Sequence, residues 1–305
     1  MASYTEYDAA GVQLKEDLED TMWRDISPEE TPVMTLSQQQ TANQKLTEWL
    51  QIEKRAAGAN AQIEGADNPA ATGHTPTRLS NYQQILQETA QVSSSQEAAE
   101  NAGISSQMAE EIAMKTVELR TDCEFAAVGS GRQAGAAGSN AVARQMKCLQ
   151  DQLDASVTTD NGAGGTLTEA SVLDNHQKIR TKGGGKDLVM VIPVAAALDV
   201  AQFVSSVAGE QAGRRRDQAM DTTLVNAVEV YQTPWGTITM VVDDFIDSNS
   251  AILMDPEMVA MKYAQPFESK PLSEGGFYSK RGLQVECTIA SLNTFASGLI
   301  DHIHT

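Results

Sequence analysis

Aromatic residues are scarce in this 305-residue chain, at 5%, so its core has to be assembled from Ala, Val, Ile, Leu and the twelve Met. Cysteine is scarce as well. Cys123, Cys148 and Cys287 lack CxxC spacing and fall in stretches patterned as helix or strand, which argues against a disulfide or zinc framework and for buried free thiols. Positive charge is in short supply: 22 Lys and Arg stand against 41 Asp and Glu, a net charge of −19, which excludes gripping nucleic acid by bulk charge. No apolar run approaches the ~18 residues of a membrane span. The first twenty residues are acidic and lack the basic-then-apolar pattern of a signal peptide, so the expectation is a soluble protein made in the cytosol.

What is present suits an ordered globular protein. Apolar residues reach 41% and charged residues 21%, and the length gives a prior of about two domains. The charge is uneven: residues 1–125 hold 21 acids and 8 bases, and the first thirty hold nine acids and two bases. That opening segment reads as an extended arm with one short helix around Leu14 to Trp23, too poor in apolar surface to fold alone. Lys45 to Glu53 and Arg78 to Gln87 suit strands, and the roughly 25 small and polar residues between them form a protruding tip. A lone hairpin is marginal in water, so this one should lie on something.

The strongest helical signal runs from Ile104 to Val128, with Ile104, Met108, Ile112, Leu119 and Cys123 at steps of four or seven, a cap at Ser105 or Ser106, and a Glu111–Lys115 pair. Glycines at 129, 131, 135 and 138 break it, and a second helix is expected over Asn140 to Leu153 with Val142, Met146, Leu149 and Leu153 inward. Helices follow at Leu167 to Arg180 and Val194 to Ala208. Strands are expected at Asp187 to Pro193, a continuous apolar run of the kind covered on both faces, and at Ala251 to Met254, Met258 to Tyr263 and Leu283 to Ile289. Leu224 to Tyr231 and Gly236 to Val242 pair as a hairpin around Thr233–Trp235. The fold class is α+β.

Candidate chemistry is sparse. Gly129-Ser-Gly131-Arg-Gln-Ala134 satisfies a dinucleotide-binding pattern formally, but it follows a helix where that chemistry needs a preceding strand. Lys182-Gly-Gly-Gly-Lys186-Asp lacks the hydroxyl residue of a P-loop and reads as a turn. His302-Ile-His304 has no third ligand in reach and reads as an exposed tail; Asp243-Asp244, with Asp247, reads as a turn at a strand end rather than a cation site. The acidic pairs Glu19-Asp20, Glu29-Glu30 and Glu110-Glu111 read as solvated faces. No catalytic residue, cofactor site or metal site is assigned. The one basic concentration, Lys178, Arg180, Lys182, Lys186 and Arg214-Arg215-Arg216, could meet an acidic surface of another copy.

Several blocks resemble a family of tailed-bacteriophage major capsid proteins: Leu14 to Trp23 followed by Ile26-Ser-Pro-Glu-Glu-Thr-Pro32; Glu48-Trp49; Glu64-Gly65; Arg78-Leu-Ser-Asn81-Tyr82-Gln-Gln-Ile85; Leu119-Arg-Thr-Asp122-Cys-Glu124; Ala251 to Met258; and Tyr263-Ala-Gln-Pro266-Phe267. They recur in order along nearly the whole chain. The resemblance implies an HK97-type capsid fold: an N-terminal arm over 1–38, an extended E-loop hairpin with its return strand over 39–92, a P-domain with a long spine helix over 93–165 and 245–305, and an A-domain over 166–244. It implies a coat protein that forms pentamers and hexamers in an icosahedral shell around double-stranded DNA, assembled in the host cytoplasm, with scaffolding, portal and decoration proteins as further partners and no membrane or cofactor. Trp23, Trp49, Arg78, Tyr82 and the basic Arg214, Arg215 and Arg216 are the expected residues of inter-subunit contacts. The competing readings are another virion component, such as a decoration or tail protein, and an acidic cytosolic enzyme.

Overall fold

The computed structural model describes residues 28–65, 67–99, 106–203, 230–273 and 275–303. The sequence-expected arm helix at 14–23, Trp23, the start of the long helix at 104–105, the end of the 194–208 helix, Arg214–Arg216, the start of the 224–231 strand, and His304 lie outside them.

The described chain begins with a short helix α1 (Pro32–Leu36), then β1 (Gln38–Thr41), β2 (Leu46–Gln51), β3 (Thr77–Tyr82) and β4 (Gln84–Ser93). After α2 (Ser94–Ala98) comes the long α3 (Gln107–Val128). The chain continues through β5 (Ala134–Ala136), β6 (Gln145–Lys147), β7 (Thr158–Asp160), α4 (Glu169–Thr181), β8 (Leu188–Pro193) and α5 (Ala197–Gln202). It ends with β9 (Val230–Thr233), β10 (Gly236–Asp243), β11 (Ser250–Met254), β12 (Val259–Pro271), β13 (Tyr278–Ser291) and β14 (Gly298–Asp301).

At ~1.5 Å per residue the 22-residue α3 is a rod of about 33 Å. The Ser106 hydroxyl caps it by accepting from Ala109 N at 3.3 Å, and Glu97 accepts from Met108 N at 3.1 Å. α3 ends at Gly129, where a Cβ would sit 2.2 Å from the Phe125 carbonyl oxygen. Lys115 bonds Glu118 at 2.6 Å and approaches Glu88 at 3.6 Å, so the expected pairing with Glu111 gives way to two better-placed acids. Leu119, Cys123, Ala126 and Val128 are buried, whereas Phe125 points outward.

α3 packs on a four-stranded sheet ordered β1-β12-β13-β4, in which β1 runs parallel to β12 and the other pairs are antiparallel. A six-stranded mixed sheet has the order β7-β14-β11-β8-β10-β9. Its central strands explain their unbroken apolar sequence by alternation. Val191, Ile252 and Met254 face the core shared with α3, while Met190, Ile192, Ala251 and Leu253 face a second core under α4. All three cysteines are buried and free. β9 and β10 form the expected hairpin.

The expected second helix is absent. Residues 140–153 do not form a helix; they make a turn, the strand β6 that pairs with β5, and a single 3₁₀ turn. Gly135 and Gly138 sit at φ +77° and +66°, and Ser139 Oγ accepts from Ala141 N and Val142 N, which closes a turn and leaves Val142 exposed. The N–H groups of Met146 and Lys147 are held by side chains from elsewhere, Gln84 and Asn81, so they cannot enter an i→i−4 ladder. Met146 and Cys148 are buried at period two, a strand signal inside an apparent helical one.

The G-x-G-x-x-A stretch is a turn that aims Arg132 (φ +35°) at two carboxylates: Nε donates to Asp247 at 2.9 Å and Nη1 to Asp301 at 3.1 Å. Arg132→Ala leaves both mostly buried acids unpaired and is expected to cost about 3 kcal/mol in denaturant unfolding. The described end, His302–Ile303, is docked rather than an exposed tail. Ile303 is fully buried, its N–H donates to Asn249 O, and His302 bonds Asp160 at 2.7 Å.

His176 on α4 is fully buried, with Nδ1 2.9 Å from Thr233 Oγ1 at the β9–β10 turn and Trp235 edge-on at 5.9 Å. Burial, with Arg180 nearby, holds its pKa below the usual histidine value. The unfolded chain therefore binds this proton more readily, so stability is full above the ordinary value of about 6.5 and falls as pH drops below it. Thermal melts from pH 7 to pH 5 should fall more steeply for the natural chain than for His176→Gln.

Candidate assembly site

The β2–β3 hairpin is a projection. The two strands pair from Leu46–Tyr82 to Gln51–Thr77, and every described residue from 52 to 78 is exposed, including Ile63 at 84%. Its tip has no share in either core.

Its root, by contrast, is fixed to the body. Asn81 is 2% exposed; its Nδ2 donates to Lys147 O at 2.9 Å and to Ile289 O at 2.7 Å, and its Oδ1 accepts from Lys147 N at 2.7 Å. Fully buried Gln83 separates β3 from β4, its N–H going to Lys45 O and its side chain to Thr47 Oγ1 at 2.8 Å. Trp49 Nε1 donates to Ser291 O at 2.9 Å, and Lys262 Nζ lies 4.9 Å over its ring. Desolvation holds the Lys262 pKa below the usual lysine value. Gln51 adds bonds to Asn293 and Thr294.

The sequence-marked contact residues thus occupy different places. Trp49 and Tyr82 lie at the half-buried root. Arg78 is at the exposed stem, 3.4 Å from Glu48. Asn81 and Gln83 escaped sequence reasoning as anchors, although Asn81 sits inside one of the matched blocks.

A second structural site joins two other matched blocks, Thr31-Pro32 and Leu119 to Glu124. Glu124, one turn after Arg120 on α3, is fully buried and accepts from Val33 N at 2.7 Å and Met34 N at 2.9 Å. Arg120 donates to Thr31 Oγ1 at 3.0 Å. The end of the arm is therefore clasped by its own subunit through a residue pair spaced i, i+4. Asp243, at the end of β10, is 1% exposed and lies against Glu124. Burial, reinforced by the charge of Asp243, pushes the Glu124 carboxyl up to about 8, and burial pushes Asp243 up to about 6. The Asp243–Asp244 turn exists as expected, with Phe245 N donating to Asp243 Oδ1 at 2.8 Å, but its first acid faces inward.

The basic stretch is absorbed in part. Lys178 bonds Asp174 at 2.8 Å and Thr158 O at 3.0 Å, Arg180 bonds Gly184 O, and Lys182 lies 4.8 Å over the Phe295 ring. Among the described residues there is no cluster of three or more metal-ligating side chains, and no helix is long and apolar enough to cross a membrane.

A long helix on a mostly antiparallel sheet, a projecting hairpin and a second α/β core are the architecture of HK97-type shell proteins. The cyanophage A-1(L) capsid chain superposes with a TM-score of 0.68 at 14% identity, covering 99% of this chain and 100% of that one. The Mycobacterium phage Bobi chain gives 0.67 at 11% identity, covering 98% and 99%. The SrpI encapsulin of Synechococcus elongatus gives 0.58 at 9% identity, covering 100% and 97%, so the fold extends beyond phages. No curated protein sequence matches. The sequence matches the SU10 major capsid protein family over residues 2–304, and the chain belongs to that family. It is a capsid shell protein of a bacteriophage-type virion.

Proposed function

We propose that this chain assembles into pentamers and hexamers that close into an icosahedral shell around double-stranded DNA, in the host cytoplasm, with no catalytic role. The observation that carries the reading is the hairpin: a rigid root, and a tip exposed at every described position from 52 to 78 that bears Ile52 and Ile63. Apolar side chains held out on a stem are suited to a neighbour's surface. Each copy both offers a hairpin and receives one, a head-to-tail contact that closes into rings. The divisions 1–38, 39–92, 93–165, 166–244 and 245–305 serve as arm, hairpin, helix-bearing platform, axial domain and returning platform strands. Trp23 and Arg214–Arg216 serve as further contacts on the strength of the sequence. The −19 charge suits containment, because an acidic wall encloses DNA without binding its phosphates. Scaffolding, portal and decoration proteins complete the set of partners.

Light scattering of the purified full chain tests this. Megadalton particles, or pentamers and hexamers, are expected; a monomer or dimer at all concentrations contradicts it.

A further inference from the structure

The arm clasp has an electrostatic peculiarity. Glu124 and Asp243 are both buried, at 0% and 1% exposure, and lie against each other, and Asp243 Oδ2 has no hydrogen-bond partner. Two buried carboxylates in contact repel, whereas one proton between them turns the repulsion into an O–H···O bond and satisfies that oxygen. The charged and titratable groups around the pair are few. α3 supplies Arg120 and Cys123, the end of β10 supplies Asp244, β12 supplies Tyr263 and β13 supplies Cys287, while the arm residues from Thr31 to Met34 bring no titratable side chain. The hydrogen bond with Cys287, helped by burial, pushes the Cys123 thiol up, and burial pushes the Tyr263 phenol up, so both stay neutral. Arg120 is the one cation in this set, so a doubly ionised pair carries more negative charge than the set can offset.

We propose that Glu124 and Asp243 form a proton-operated latch: with one shared proton the pair holds residues 31–34 of the arm against the spine helix, and loss of that proton lets the arm go. The geometry makes arm and proton interdependent. Glu124 meets the Val33 and Met34 N–H groups with both oxygens, so once the shared proton is lost the repulsion between the two carboxylates is relieved only if the Glu124 side chain swings away and drops those two bonds. Both carboxyls are pushed above their ordinary values, so the docked state binds more protons than the undocked one. Docking is therefore strongest below neutrality and weakens as pH rises through about 8. The latch is intramolecular and operates whether or not the subunit assembles.

Hydrogen exchange of the full chain between pH 6.5 and 9, corrected for the base-catalysed intrinsic rate, tests this. Protection of the Val33, Met34 and Ser37 amides is expected to fall at least tenfold, while that of residues 119–128 in α3 stays level. Asp243→Asn supplies a permanent donor to Glu124, and its arm should stay protected at pH 9. In the natural protein, the infrared carbonyl band of a buried protonated carboxyl should vanish over the same range as arm protection. Level arm protection in the natural chain, parallel loss in Asp243→Asn, or no such band at neutral pH would each overturn the latch. Should Asp243→Asn fail to fold, the coincidence or mismatch of band and exchange in the natural chain decides.

Discussion

Deleting residues 54–76 is expected to leave a folded subunit that forms no shells. The deletion leaves Ile52 and Glu53 joining Gln51 to Thr77, which already face each other in register, so the connection becomes a two-residue hairpin loop. Ile52→Asn with Glu53→Gly in the same chain gives that loop its preferred residues. Nothing removed belongs to either core, and shortening a loop lowers its closure entropy. The melting temperature should therefore stay within a few degrees, on the order of 1 kcal/mol. Assembly should be abolished, because the deleted tip holds the surface offered to the neighbour. Electron micrographs showing normal particles would remove the hairpin from the account.

The second large effect is expected at the root. Asn81→Ala strips partners from the Lys147 N–H, its carbonyl and the Ile289 carbonyl, all behind a 2%-exposed side chain. With each orphaned group worth about 1–3 kcal/mol, and Gln152 still reaching both carbonyls, the net loss should be about 3 kcal/mol in denaturant unfolding. Shell yield should fall further than in an equally destabilised Ile179→Ala, whose side chain is buried in the second core away from the hairpin. Equal yields would mean that the root supplies stability alone and does not aim the hairpin.

The sequence showed its projecting hairpin and its long helix because both depend on local signals. Residues 52–76 are nearly all small or polar and offer almost nothing to pack into their own subunit, and the apolar spacing through Leu119 and Cys123 fits one helix face. The double-faced strand at 188–193 was legible for the same reason, as an unbroken apolar run. The stretch 140–153 misled because its apolar residues fit two periods at once. What settled it was remote: Asn81 and Gln84, more than sixty positions away, take the N–H groups of Lys147 and Met146. The clasp was hidden differently. Glu124 looked like one more acid in an acidic chain, and Thr31-Pro32 like punctuation between arm and body. Only the fold brings the two matched blocks together, and no local pattern signals that a carboxylate will be buried against another carboxylate. Arg132 was disguised by the glycines around it, which match a dinucleotide-binding pattern only formally; the stretch turns the chain so that one arginine reaches Asp247 and Asp301.

The central claim is that an exposed hairpin on a rigid root joins one copy to the next. Cryo-electron microscopy of particles formed by the full chain tests it most directly. The account predicts a closed icosahedral shell in which residues 52–76 lie on an adjacent copy, burying Ile52 and Ile63. A shell in which that segment contacts only its own subunit, or a preparation of small discrete oligomers alone, would contradict it.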